Sequence, residues 1–166
     1  GGLLEFNGLA WNRYPSPNGS VLRSVMARGN RIYAGCYMEF GYWERDAFGR
    51  LTYTSLSADP EIDLLEDEQF WKIRTVGDWV LFQSLQHIYA YRISDGSFEV
   101  IPSEASRAQL FIYQDAIYFQ RNGSLFKLVN GKPVSLASTN YGDLVIVGMV
   151  NNFQTPRQTF GQWRQQ

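Results

Sequence analysis

A single histidine, His87, limits the acid–base chemistry open to this chain of 166 residues. A serine-hydrolase triad holds an imidazole between a nucleophile and a carboxylate. The Gly-x-Ser-x-Gly turn that would present such a serine does not occur. Cys36 is the lone cysteine, which excludes an internal disulfide. One cysteine and one histidine are too few soft ligands for a zinc site. Neither a Gly-x-Gly-x-x-Gly turn nor a P-loop is found. Paired carboxylates would suit a glycosidase, and Glu39, Glu44 and Asp46 lie close in sequence. Glu44 and Asp46, however, flank an ordinary hairpin turn, and His87 opens an expected strand. The expectation is therefore no catalytic residue, no metal and no cofactor.

The bulk numbers narrow the class further. Fifteen Lys and Arg against sixteen Asp and Glu give a net charge of −1, unlike the basic surface that grips nucleic acid. Apolar residues make up 45% and charged residues 19%, the balance of a chain with a packed core. No apolar run is long enough to span a bilayer as a helix. Aromatic residues reach 16%, and aromatics favour strands.

The elements that must position any site read as strands between turns. Arg31–Cys36, Phe40–Arg45 and Leu51–Leu56 form one series, with Asp46–Arg50 as a turn. Trp79–Gln83, His87–Arg92 and Ser97–Ile101 form a second. Its last two strands are joined across Ser94-Asp95-Gly96, read as a type I′ turn. Ala116–Gln120, Ser124–Leu128 and Pro133–Leu136 form a third. Each series has an apolar run in front: Val21–Val25, Phe70–Arg74 and Ala108–Ile112. Tyr33, Leu81 and Tyr118 align at separations of 48 and 37 residues. Four strands repeated about every 40 residues is the pattern of a β-propeller blade.

The expected fold is all-β, a partial β-propeller of four-stranded antiparallel blades. About three blades are complete (20–57, 69–102 and 107–137) and two are partial (1–14 and 141–150). A polar tail covers 151–166. The insertion Ala58–Glu68 is read as one or two exposed helical turns, since Asp59-Pro60 suits a helix start. Its acids are read as a solvated face. Trp43, Trp71 and Trp79 are expected to fill layers between blades, the alternative being that a minority of the aromatics stand exposed as sugar-stacking platforms.

Gly1-Gly2-Leu3-Leu4-Glu5-Phe6-Asn7-Gly8, with Trp11 and Tyr14 behind it, resembles the close of the two-component regulator propeller repeat. Arg31–Tyr37, Glu39–Trp43 and Tyr53–Ser57 are similar to the sensor propellers of bacterial transcriptional regulators that carry this repeat. The resemblance spans about residues 1–150 and is most specific over 1–57. It implies a sensor segment outside the inner membrane, hence periplasmic. A β-sandwich module, a membrane helix and a cytoplasmic output would follow it in a longer chain, so this sequence is expected to be a fragment. It also suggests a glycan-derived signal.

Topology picks the face where a ligand would sit. In a four-stranded up-and-down blade, the loop from the second to the third strand shares an end with the entry to the next blade. Those loops hold Tyr37, Met38 and Glu39 in the first blade, Ser84, Gln86 and His87 in the second, and Arg121 and Asn122 in the third. Tyr37, Glu39, Gln86, His87, Arg121 and Asn122 are the expected ligand-binding residues, a mix of hydrogen-bonding groups and an aromatic.

The function expected is non-catalytic ligand sensing within a bacterial signal-transduction or transcription regulator. The alternatives are a carbohydrate-active propeller enzyme and a protein-interaction propeller. Expected partners are a small molecule or oligosaccharide, with no nucleic-acid contact and no membrane insertion by this segment. An open arc of blades exposes aromatic faces and strand edges, so a homodimer is expected, unless the missing remainder of a longer chain covers them.

Overall fold

The computed structural model describes residues 1–102, 109–114, 116–121, 124–130 and 132–138. These residues form strands joined by turns, with no helix among them. The expected partial blade at 141–150, the tail at 151–166 and Asn122 lie outside the described residues.

The fold is all-β, a partial β-propeller built from four-stranded antiparallel blades. A first, two-stranded sheet pairs β1 (Gly2–Phe6) with β2 (Trp11–Pro15). The first full blade orders β3 (Ser24–Arg28), β4 (Arg31–Gly35), β5 (Phe40–Arg45) and β6 (Leu51–Ser55) as consecutive neighbours. The second does the same with β7 (Lys72–Val76), β8 (Trp79–Gln83), β9 (His87–Arg92) and β10 (Phe98–Pro102). These sheets belong to one compact unit, Gly1–Pro102.

A second unit begins at Ser103. It holds β11 (Gln109–Tyr113), β12 (Ala116–Arg121), β13 (Ser124–Val129) and β14 (Lys132–Ser138), again in consecutive order. Phe119 and Phe126 stack across β12 and β13 at 5.2 Å, and the β13–β14 register slips at Leu125/Phe126.

Alternation decides what each strand buries, because successive side chains take opposite faces. Tyr33 and Tyr42 sit opposite each other on β4 and β5 and look toward the second blade. Phe40 lies at the middle of that inter-blade core. Its ring centroid is 4.7 Å from Phe70, 4.5 Å from Phe82 and 5.3 Å from Tyr89. Gly35 permits the close approach, since a Cβ there would come within 2.6 Å of the Phe70 Cβ. On the other face Trp43 packs on Tyr53 at 4.8 Å and is buried.

Three expectations need correction. The stretch Ala58–Glu68 runs through tight turns, among them those closed by Asp59 N to Leu56 O at 3.2 Å and Ile62 N to Asp59 O at 2.9 Å, rather than a helix. Further along, the backbone bonds with the first blade: Met38 N donates to Glu68 O and Phe70 N to Cys36 O. The β9–β10 turn is not type I′, which needs two left-handed central residues. Only Gly96 has positive φ there, and its N–H reaches back to Arg92 O at 2.9 Å. Trp71 is 44% exposed beneath the Arg23 guanidinium instead of filling a layer. The apolar run misplaces it because β7 begins one residue later, at Lys72.

Candidate functional site

The β4–β5 and β8–β9 connections meet the segment that links the two blades. Cys36 N donates to Glu39 O at 2.8 Å, closing a tight turn over Tyr37 and Met38. Met38 takes φ of 52°, a left-handed conformation costly for a residue with a side chain. The linking segment holds it there. Met38 N donates to Glu68 O at 2.8 Å, and Glu68 N returns to Met38 Sδ at 3.2 Å. Asp67, next to Glu68, is left-handed too, at φ of 62°.

Tyr37 stands 40% exposed beside this pair. Its hydroxyl donates to Asp67 Oδ1 at 2.6 Å, and its carbonyl accepts from Asn18 Nδ2 at 2.6 Å. The bond to the Asp67 carboxylate, and that carboxylate's charge, hold the Tyr37 phenol above its ordinary pKa. Its backbone bridges to Gln69.

Ser84 organises the second connection. Its Oγ accepts from Gln86 N at 3.1 Å and His87 N at 2.8 Å, a side-chain-capped turn. Its proton goes to Glu68 Oε1 at 2.5 Å. Glu68 is fully buried. Its other oxygen accepts from the Tyr89 hydroxyl at 2.8 Å and Leu65 N at 3.1 Å, while His87 Nδ1 lies 3.4 Å from Oε1. Burial, then the bond to Glu68, pushes the Tyr89 phenol well above its ordinary value. A buried carboxylate is costly unless its lone pairs are met, and here donors meet both oxygens. Glu68 thus keys the linking segment into the second blade and departs from the reading of the segment's acids as a solvated face, which Glu61, Asp63, Glu66 and Asp67 keep by being exposed.

The Ser84 hydroxyl thus caps the β8–β9 turn and donates to Glu68, and these bonds fix the position of the loops. Among the described residues no three His, Cys, Asp or Glu side chains converge as metal ligands.

Of the expected site residues, Tyr37, Gln86 and His87 are brought to this one end, Gln86 exposed and His87 half-buried. Glu39 shares the β4–β5 turn, but its carboxylate is engaged within its own blade, accepting from Ser55 Oγ at 2.8 Å and the Tyr53 hydroxyl at 3.1 Å. Arg121 ends β12 in the second unit, opposite Ser124. Sequence reasoning passed over Asp67, Glu68 and Arg23 as site residues and took Trp71 chiefly as a filler between blades. Nothing local marks Glu68, whose hydroxyl partners lie 16 and 21 residues away. For Ser84, the serine three residues ahead of a strand start was a usable turn signal.

No family model matches the chain, and no curated protein matches it.

Proposed function

We propose that this chain is a non-catalytic binding segment: the extracytoplasmic sensing part of a bacterial signal-transduction or transcription regulator, taking a polar, glycan-derived ligand at its loop end. One observation carries the binding reading. Tyr37 and His87, from adjacent blades, are tied to consecutive residues, Asp67 and Glu68, of the segment between those blades. That wiring pre-orders two loops whose outward groups are a phenol, an amide and an imidazole, and pre-ordering lowers the entropic cost of binding. The regulator part of the proposal, with its periplasmic location, rests on the resemblance over residues 1–57.

Self-association belongs to the same proposal. Leu4, Phe6 and Trp11 lie exposed together on the two-stranded sheet, and Phe6 and Trp11 are 5.1 Å apart. Contiguous apolar surface of this kind favours association. Light scattering on the purified chain is expected to give a dimer, and a clean monomer would defeat this part.

A panel of oligosaccharides titrated by calorimetry tests the binding reading. A saturable ligand is expected, weakened at least tenfold by Gln86→Ala with the melting curve unchanged. Absence of any ligand, or binding indifferent to Gln86, Tyr37 and His87 substitutions, would overturn it. Steady turnover of a bound glycan would favour the enzyme alternative.

A further inference from the structure

Arg23 and Trp71 occupy the same structural position in successive blades. Arg23 immediately precedes β3, and its N–H donates to Gly35 O, the last residue of β4, at 2.8 Å. Trp71 immediately precedes β7, and its N–H donates to Gln83 O, the last residue of β8, at 3.0 Å. The two innermost strands run side by side: Ser24 Oγ, next to Arg23, bonds Phe70 O, next to Trp71, at 2.8 Å. The equivalent positions therefore touch, and the Arg23 guanidinium lies 4.7 Å from the Trp71 ring centroid. Both side chains are exposed, at the end that carries the β4–β5 and β8–β9 connections.

The chemistry of this pair is directional. A guanidinium over an indole engages through its flat face, which leaves the in-plane N–H fork free. Among the described residues no carboxylate pairs with Arg23, whereas Arg31, Arg45, Arg50 and Arg92 each have an acidic partner. The fork of Arg23 is thus a cation on this rim with no carboxylate of the described residues on it, and the exposed Lys72, next to Trp71, is a second. That fork matches a carboxylate bidentately, and the uncovered part of Trp71 offers apolar surface beside it.

We propose that Arg23 and Trp71 form a subsite for a ring compound bearing a carboxylate, the carboxylate on the guanidinium fork and the ring against the indole. This rests on reading the loop end as a binding face, and adds to it the charge and shape of the ligand.

Benzoate is the probe, followed in the full chain by the indole N–H resonance of Trp71, assigned by its loss in Trp71→Phe. Saturable shifts are expected with benzoate, and at least tenfold weaker binding with benzamide or acetate, each of which lacks one half of the recognised group. Arg23→Gln should weaken benzoate at least tenfold, and Arg23→Lys should restore only part of it. Equal binding of benzoate and benzamide, no saturable shift at all, or full affinity in folded Arg23→Gln would each overturn the proposal. The wild-type comparison of probes decides the matter even if Arg23→Gln fails to fold. Failure here with oligosaccharide binding intact leaves the loop-end reading standing. Arg23-dependent benzoate binding, with no glycan bound and no effect of Gln86→Ala, leaves only the subsite.

Discussion

The Tyr89 hydroxyl donates to Glu68 Oε2 at 2.8 Å, with both residues fully buried. Tyr89 belongs to the second blade and also packs on Phe40 of the first. One phenol therefore serves the inter-blade core with its ring and the linking segment with its oxygen. The rim above inherits its geometry from that bond, because Glu68 also holds Ser84 and, through its backbone, Met38.

Glu68→Ala is expected to destabilise the protein by about 2–4 kcal/mol, since it strands the Tyr89 and Ser84 hydroxyls in a buried cavity. Glu68→Gln should cost less, keeping one acceptor while pointing an amide donor at a hydroxyl that is itself donating. Urea unfolding followed by tryptophan fluorescence compares the two. A full loss in Glu68→Ala beside no loss in Glu68→Gln would mean that packing, and not the hydrogen bonds to the carboxylate, holds the linking segment.

The parts of the fold legible in the sequence were those encoded locally. Alternation of Ile88, Ala90 and Tyr89, Tyr91 marks β9 within six residues, and Gly29 and Gly96 mark turns by the left-handed φ they adopt. The candidate site was legible only in part, as the loops and not their wiring. Tyr37, Gln86 and His87 follow from the up-and-down order, but Glu68 sits in an acidic run whose composition suggests solvent. Its burial depends on hydroxyls that only the folded blades bring near. Trp71 misleads in the opposite sense: an apolar residue adjoining a buried one, Phe70, reads as core, yet the strand's start one residue later turns it to the rim.

Glu39→Ala is expected to cost about 1–3 kcal/mol of stability, because the Tyr53 and Ser55 hydroxyls lose their shared acceptor. Burial, then the Glu39 charge, holds the Tyr53 phenol far above its ordinary pKa. Glu39→Ala should accordingly bring one tyrosine ionisation downward in a spectrophotometric titration. An unchanged titration would mean that the carboxylate does not govern Tyr53.

Cys36 is buried, and burial pushes its thiol up to about 11. At pH 8 a rise of about two units lowers the thiolate fraction about a hundredfold. Iodoacetamide should therefore label native Cys36 at least a hundredfold more slowly than the urea-unfolded chain. The folded state favours the protonated thiol. Its contribution to stability is complete below the unfolded value near 9 and is lost as pH rises from there through about 11. Rapid native labelling at pH 8 would show that the thiol is reachable and not held in this environment.

Tyr42 carries the Arg31 guanidinium on its ring at 4.2 Å and packs against Tyr33 at 5.6 Å. Tyr42→Ala should cost about 3–5 kcal/mol, as large-to-small core changes do. Tyr42→Phe should cost far less, since the ring face that Arg31 covers remains. Chemical denaturation of the two variants separates ring from hydroxyl, and a loss shared equally by both would assign the effect to the hydroxyl.

Gly41 makes room for Tyr53. It lies on β5 beside β6, where a Cβ would drive into the Thr54 carbonyl and come within 2.6 Å of the Tyr53 hydroxyl. No change of rotamer at Tyr53 relieves the first clash, because the Thr54 carbonyl is main chain and is fixed by the β5–β6 ladder. Gly41→Ala should therefore cost about 1–3 kcal/mol by overpacking, although alanine ordinarily suits a strand better than glycine does. Tyr53→Phe in the Gly41→Ala background distinguishes the two contacts. If the ring oxygen is the obstacle, the double variant should recover much of the loss. If the strand carbonyl is the obstacle, it should recover nothing and should loosen amide protection along β6. The second outcome is expected, because of the two neighbours only the backbone lacks a way to move aside. Hydrogen exchange on Leu51–Ser55 in both variants is the measurement that decides it.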